Sequence, residues 1–209
     1  MADLDRSMAS VRDVVDAIVE VLRSQGYAFA HPKRAFVPPL PGVSRDIDAI
    51  EGRIGAVPPA LRAAWEVVGS YDLTGSHPDF PVTACLMLPG AKEGPGGVWM
   101  TDPIVLYAPA DVLSRLDDAE DEFRDRVPVW PDAYHKAGYS GSPETCVAIP
   151  SDDPEAELLE GDPGAKHPTT LVRYLRRALI DFGGFPGFAE IGADKWPALE
   201  ELKKLAVPF

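Results

Sequence analysis

The stretch IDAIEGRIGAVPPALRAAWEVVG, residues 47–69, decides the fold. Ile47, Ile50 and Ile54 recur at helical spacing and give a short helix one apolar stripe, with Glu51 outside it. Ser44 stands where an N-cap belongs and Gly55 ends the helix. Pro58 and Pro59 then fall in the first turn of a second helix, where a missing N–H removes no intrahelical bond. Leu61, Ala64, Trp65 and Val68 form its buried face, and Gly69 terminates it.

Upstream, Val11, Val14, Val15, Ile18, Val21 and Leu22 predict another amphipathic helix, opened by a Ser10–Asp13 capping box and stopped by Gly26. Its stripe must be buried, and docking on the domain is the expectation. Residues 27–43 hold Pro32, Pro38, Pro39 and Pro41, which argue against regular structure, while Tyr27, Phe29 and Phe36 argue for packing on a surface. Residues 1–43 thus read as an N-terminal helix and proline-rich arm, and residues 44–209 as the main domain.

Downstream of about residue 70 the texture changes to short apolar runs punctuated by Pro and Gly. Val82–Leu88, Val98–Met100, Ile104–Tyr107 and Val127–Trp130 read as strands, as do Tyr134–Tyr139 and Thr145–Ile149, which could pair with each other, and Leu158–Glu160. Ala110–Arg126 carries helical spacing. The chain closes with a helix capped by Thr169 or Thr170 and ended by Gly183–Gly184, then a last one that Asp194 could cap. Helices, short strands, then helices predict an α+β fold with a largely antiparallel sheet packed against N- and C-terminal helices.

Residues 47–69 also resemble the signature of the SUKH superfamily, named partly for a yeast regulator of cell-wall synthesis and abundant in bacteria. The matching positions are Ile47, Ile50, Glu51, Val57, Pro58, Leu61, Arg62, Trp65 and Gly69. The resemblance implies an α+β fold and, for many bacterial members, an immunity protein that neutralises a toxin by contact and without catalysis. Nucleases are frequent targets in that setting. It hands over no catalytic residue.

Charge fits such a role. The formal net charge is −13, a field that repels nucleic acid and draws in basic proteins. One acidic stretch comprises Asp117, Asp118, Glu120, Asp121, Glu122 and Asp125. The other comprises Asp152, Asp153, Glu155, Glu157, Glu160 and Asp162. Either is a candidate surface for a basic partner, set against the plainer reading of a solvated face. Trp65, Tyr71, Trp130 and Tyr139 are candidate aromatic anchors. Spacing assigns Trp65 to the core, whereas Trp130 and Tyr139 lie nearer loops.

Chemistry finds little support. Gly138-Tyr139-Ser140-Gly141-Ser142 lacks the second glycine of a nucleophile elbow and is followed by Pro143. His31, His77, His135 and His167 show no metal-ligand spacing, and no metal or cofactor is expected. Asp72, His77 and Asp79 sit in a polar turn that could loosely hold a cation. Cys85 and Cys146 form no Cys-x-x-Cys pair and read as small buried hydrophobes. The N-terminus has no signal-peptide pattern and no run approaches a membrane span, which predicts a cytoplasmic protein with no membrane partner. Two other functions stay open: a regulator or scaffold of the same fold, and a small hydrolase using Ser140 or Cys146 with His135.

Overall fold

The computed structural model describes residues 2–77, 85–86, 99–118, 123–136, 144–149, 154–159, 169–192 and 196–206. Helix α1 spans Ala2–Ser24, so it starts well before Ser10. The apolar spacing continues upstream through Met8 and Leu4, and Met8, Val11, Val15, Ile18 and Leu22 are buried. Ser10 therefore lies inside the helix, where its hydroxyl donates to the Arg6 carbonyl at 3.3 Å, and Asp13 pairs with Arg12 instead of capping. At the other end the Tyr27 N–H reaches back to the Leu22 carbonyl, 2.9 Å, a Schellman closure around Gly26.

The arm is not free of regular structure. Strand β1 (Ala28–Phe29) precedes the first of its prolines and β2 (Phe36–Val37) lies between Pro32 and Pro38, so no proline occupies a pairing position. Tyr27, Phe29 and Ala35 belong to the same buried core as α1. Helix α2 covers Val43–Ile54. It begins one residue before Ser44, because Leu40-Pro41-Gly42-Val43 form a turn closed by Val43 N–H to the Leu40 carbonyl at 3.1 Å. Ser44 therefore does not cap; its hydroxyl donates to Glu66 at 3.3 Å. Helix α3 (Pro59–Ala63) runs on as a π-helical turn, Ala64–Val68, that ends at Gly69.

After β3 (Ser70–Asp72) and β4 (Gly75–Ser76), β1 pairs with β4 and β2 with β3. Strands β5 (Cys85–Leu86) and β6 (Trp99–Met100) pair with each other. Strand β7 (Val105–Leu106) completes a three-stranded sheet in the order β2-β3-β7. Helix α4 covers Pro109–Asp118, shorter than the spacing predicts; Phe123 lies beyond it yet is buried.

Strand β8 is Arg126–Pro131, and α5 is a helical turn at Ala133–Lys136. Strand β9 is Glu144–Ala148 and β10 is Leu158–Leu159, in the order β10-β9-β8. Strand β9 thus pairs with β8 and β10; of its expected partner Tyr134–Tyr139, residues 134–136 are helical and residues 137–139 lie outside the described residues. Residues 133–136 coil because the Lys136 N–H returns to the Asp132 carbonyl at 3.0 Å and the Lys136 ammonium is tied to Asp102 at 2.6 Å. Val127 to Trp130 are buried without alternation, as in a strand covered on both faces. All these pairings are antiparallel, and the fold is α+β.

Helix α6 (Leu171–Arg176) is capped by Thr170, whose hydroxyl accepts from the Arg173 N–H, and it too runs into a π-helical turn, Arg177–Asp181. A short α7 (Phe188–Ile191) and α8 (Pro197–Lys203) finish the fold, with Trp196 before Pro197. Asp194, the expected cap, lies outside the described residues. Two contacts of Tyr107 tie the sheets to each other and to the helices. Its N–H donates to the Val129 carbonyl at 2.8 Å and joins β7 to β8. Its carbonyl accepts the Trp65 indole N–H at 2.9 Å and joins both to the helical layer.

Candidate interaction surface

The 47–69 block uses Glu51 and Arg62 to bind itself together. One Glu51 oxygen accepts the Val57 N–H at 3.0 Å, and the other accepts from Arg62 at 2.8 Å, which locks the α2–α3 turn. Arg62 also reaches Glu66 at 3.1 Å and Asp48 at 3.4 Å. Ile47, Ile50, Val57, Leu61 and Trp65 are buried. The block builds structure and leaves the surface chemistry to other segments.

The first acidic stretch begins on α4. Asp117 and Asp118 are exposed. Asp117 pairs with Arg53 of α2, while Asp118 has no partner among the described residues. Asp125 is exposed, and its hydrogen bond from Arg126 holds its carboxyl below the usual carboxylate range. Glu120, Asp121 and Glu122 lie outside the described residues, as do Asp152, Asp153, Glu160 and Asp162 of the second stretch. Glu155 is partly buried; it accepts the Thr170 hydroxyl at 3.0 Å and lies 3.6 Å from Arg173. That carboxylate braces the start of α6.

The aromatic candidates divide. Trp130 is 3% exposed and stacks on Tyr174 with ring centroids 4.8 Å apart, so it is a core residue and not an anchor at the surface. Its place near a loop in sequence is overridden by β8 being covered on both faces. Tyr71 is buried in β3, and Trp65 is buried as its spacing predicts. Tyr139 lies outside the described residues.

A surface that sequence reading passed over is the outer face of α1. Asp5, Asp13, Asp16 and Glu20 are all exposed and share one side of the helix, opposite the Val11–Val15–Ile18–Leu22 stripe. Their separations of eight, three and four residues were the available signal. Asp13 and Glu20 are matched by Arg12 and Arg23, but Asp5 and Asp16 are unpaired. Across the described residues, Asp5, Asp16, Asp118, Glu157, Asp181, Glu190 and Glu201 are exposed carboxylates without an ion pair, against Lys33, Arg177 and Lys204 as exposed cations in the same condition. The negative field is therefore carried by uncompensated groups at the surface.

No reactive constellation is assembled within the described residues. Ser140 and the side chain of His135 lie outside them, and Cys146 is buried with its thiol 3.6 Å from the Glu144 carbonyl. Asp72 accepts from Thr74 and lies 4.0 Å from His31, whereas His77 packs edge-on to Trp196 at 5.7 Å. Asp79 is outside the described residues, and no metal-holding group of three or more His, Cys, Asp or Glu exists among those described. The most compact polar cluster is Tyr107, Arg115 and Glu144. The Tyr107 hydroxyl donates to Glu144 at 3.3 Å, Arg115 bonds the same carboxylate, and its guanidinium lies 4.1 Å over the Tyr107 ring. Burial, then the Glu144 charge, push the Tyr107 hydroxyl well above its usual range. It is a neutral donor in a clamp between α4 and β9. Among the described residues no helix is long and apolar enough to cross a membrane. No protein-family model, curated protein or solved structure matches the chain.

Proposed function

We propose that this chain is a non-catalytic protein-binding module of SUKH type, an immunity protein that occludes a basic protein partner, with a nuclease toxin as the partner class. The observation that carries the proposal is the set of exposed, unpaired carboxylates led by Asp5, Asp16 and Asp118, in a chain of net charge −13. A nuclease must hold a phosphate backbone, so its cleft is basic, and a carboxylate surface both steers toward it and fills it. The residues of the SUKH-like signature serve the scaffold, which leaves the rest of the surface to choose the partner. The carboxylate faces, not Trp130, are the residues assigned to contact.

The test is co-expression with the toxin encoded beside the gene. The expected result is cell survival together with an isolable complex. Replacing Asp5, Asp16 and Asp118 by Asn should leave the fold intact and slow association by about tenfold at low salt, with the difference shrinking as salt rises. No rescue and no complex would overturn the immunity reading. Unchanged association by the triple variant would overturn the role of these carboxylates.

A further inference from the structure

Residues 21–45 contain no Asp or Glu, although they include Arg23, Lys33, Arg34 and Arg45 in a chain of net charge −13. Within that window lies Val37-Pro38-Pro39-Leu40-Pro41. Val37, Pro38 and Leu40 each precede a proline, which disfavours the helical region and favours extended backbone, and Pro38 and Pro39 carry the fixed φ of the polyproline II region. Pro41 and Gly42 then occupy the central positions of a turn, with Gly42 at φ 93, ψ 2, the geometry a type II turn requires. That turn type keeps Pro41 close to the same extended region.

The segment is fixed at both ends. Val37 pairs with Ser70 in the sheet, and Leu40 closes the turn onto Val43. Its underside rests on Gly69, where a Cβ would come within 2.2 Å of the Val37 carbonyl oxygen and 2.9 Å of the Pro39 nitrogen. Its outer side carries Leu40, 61% exposed, the sole exposed large hydrophobic among the described residues. Arg45, beside Gly42, is 82% exposed and held only by its neighbour Asp46.

We infer that Pro38–Pro41 is a preformed docking peptide, recognised by a partner protein whose shallow groove is lined by aromatic rings and rimmed by a carboxylate. A polyproline II strand fits between aromatic rings, offers few backbone donors that need satisfying, and loses little entropy on binding because it is already ordered. Leu40 fills the apolar pocket, and Arg45 is free to exchange a weak surface pair for the rim carboxylate. This inference does not rest on the immunity reading, since the segment is uncharged, lies in a window without acidic residues and is apart from the acidic stretches in sequence.

The experiment titrates the full chain, labelled with 15N, with an isolated WW domain as a defined aromatic-groove probe. Expected are saturable shifts confined to the amides of Val37, Leu40 and residues 42–45. Leu40→Ser, at an exposed site, should weaken binding by about tenfold, and Arg45→Ala should remove part of its salt dependence. Asp16→Asn, on the outer face of α1, should leave it unchanged. No shifts at millimolar probe, shifts elsewhere on the fold, or equal binding by Leu40→Ser would overturn the inference.

Discussion

Gly69→Ala is the sharpest perturbation the fold offers. Gly69 adopts φ 97, ψ −131, a conformation L side chains rarely take. A methyl group there would meet the Val37 carbonyl oxygen at 2.2 Å and the Pro38 carbonyl carbon at 2.8 Å, both backbone atoms of a segment pinned by proline and by strand pairing. The backbone strain costs about 1–3 kcal/mol, and the forced shift of packed neighbours costs a further ~1–3 kcal/mol. The sum is about 4 kcal/mol, a large share of the roughly 5–15 kcal/mol that holds a domain together. With a urea dependence of about 2 kcal/mol per molar, the unfolding midpoint should fall by roughly 2 M. Gly52→Ala is the matched control. Gly52 is an exposed helical glycine on α2, and a Cβ there would meet nothing within 4 Å, so alanine should stabilise by about 0.5–1 kcal/mol. Urea curves of both variants, read at constant slope, decide the matter. A loss below about 1 kcal/mol for Gly69→Ala would refute the contact between the α3 end and the proline segment.

Two further outcomes are expected. Burial raises the hydroxyls of Tyr27, Tyr71 and Tyr107 above their usual value of 10.0, with the charge of Asp72 adding to the effect at Tyr27 and that of Glu144 at Tyr107. The folded state then binds protons that the unfolded state releases, so the stability these groups contribute is complete below pH 10 and drains away as pH rises above it. Absorbance at the tyrosinate band should show these three ionising together with cooperative alkaline unfolding; independent titration near pH 10 in the folded chain would contradict their burial. Thr170→Ala removes the acceptor for the Arg173 N–H and a partner of Glu155, and should cost about 1 kcal/mol, or roughly 2–4 °C in thermal midpoint. An unchanged midpoint by calorimetry would remove the cap from the account of α6.

What sequence reading recovered tracks the length of the periodic signal. The stripes of α1, α2 and α3 and the Thr170 cap were legible because each repeats over several turns or sits at a defined offset from one. The Ser10 and Ser44 caps were misplaced because a capping residue means something only relative to a helix start. In both cases the start was set elsewhere, by Met8 and Leu4 extending the stripe and by the Pro41–Gly42 turn. Strand partnership was harder. Two-residue strands such as β1 and β2 carry no alternation to read, and the helical turn at residues 133–136, where a strand is expected, is tied down by the tertiary contact of Lys136 with Asp102. At the surface, runs of consecutive acids attract attention, whereas Asp5, Asp13, Asp16 and Glu20 become one face only when the helix is wound. Trp130 shows the converse: a residue near a loop in sequence is sealed by the layer above it.

The Tyr107 peptide has a consequence for how the molecule comes apart. Its N–H makes the one backbone hydrogen bond from β7 to β8 among the described residues, and its carbonyl holds the indole of Trp65. Two ladders of three strands are thus riveted at a point, not zipped along an edge. Such a junction divides a structure into cooperative blocks that can open separately. The Tyr107 amide belongs to neither ladder's interior, so its hydrogen exchange reports the parting of the blocks and not the melting of either one.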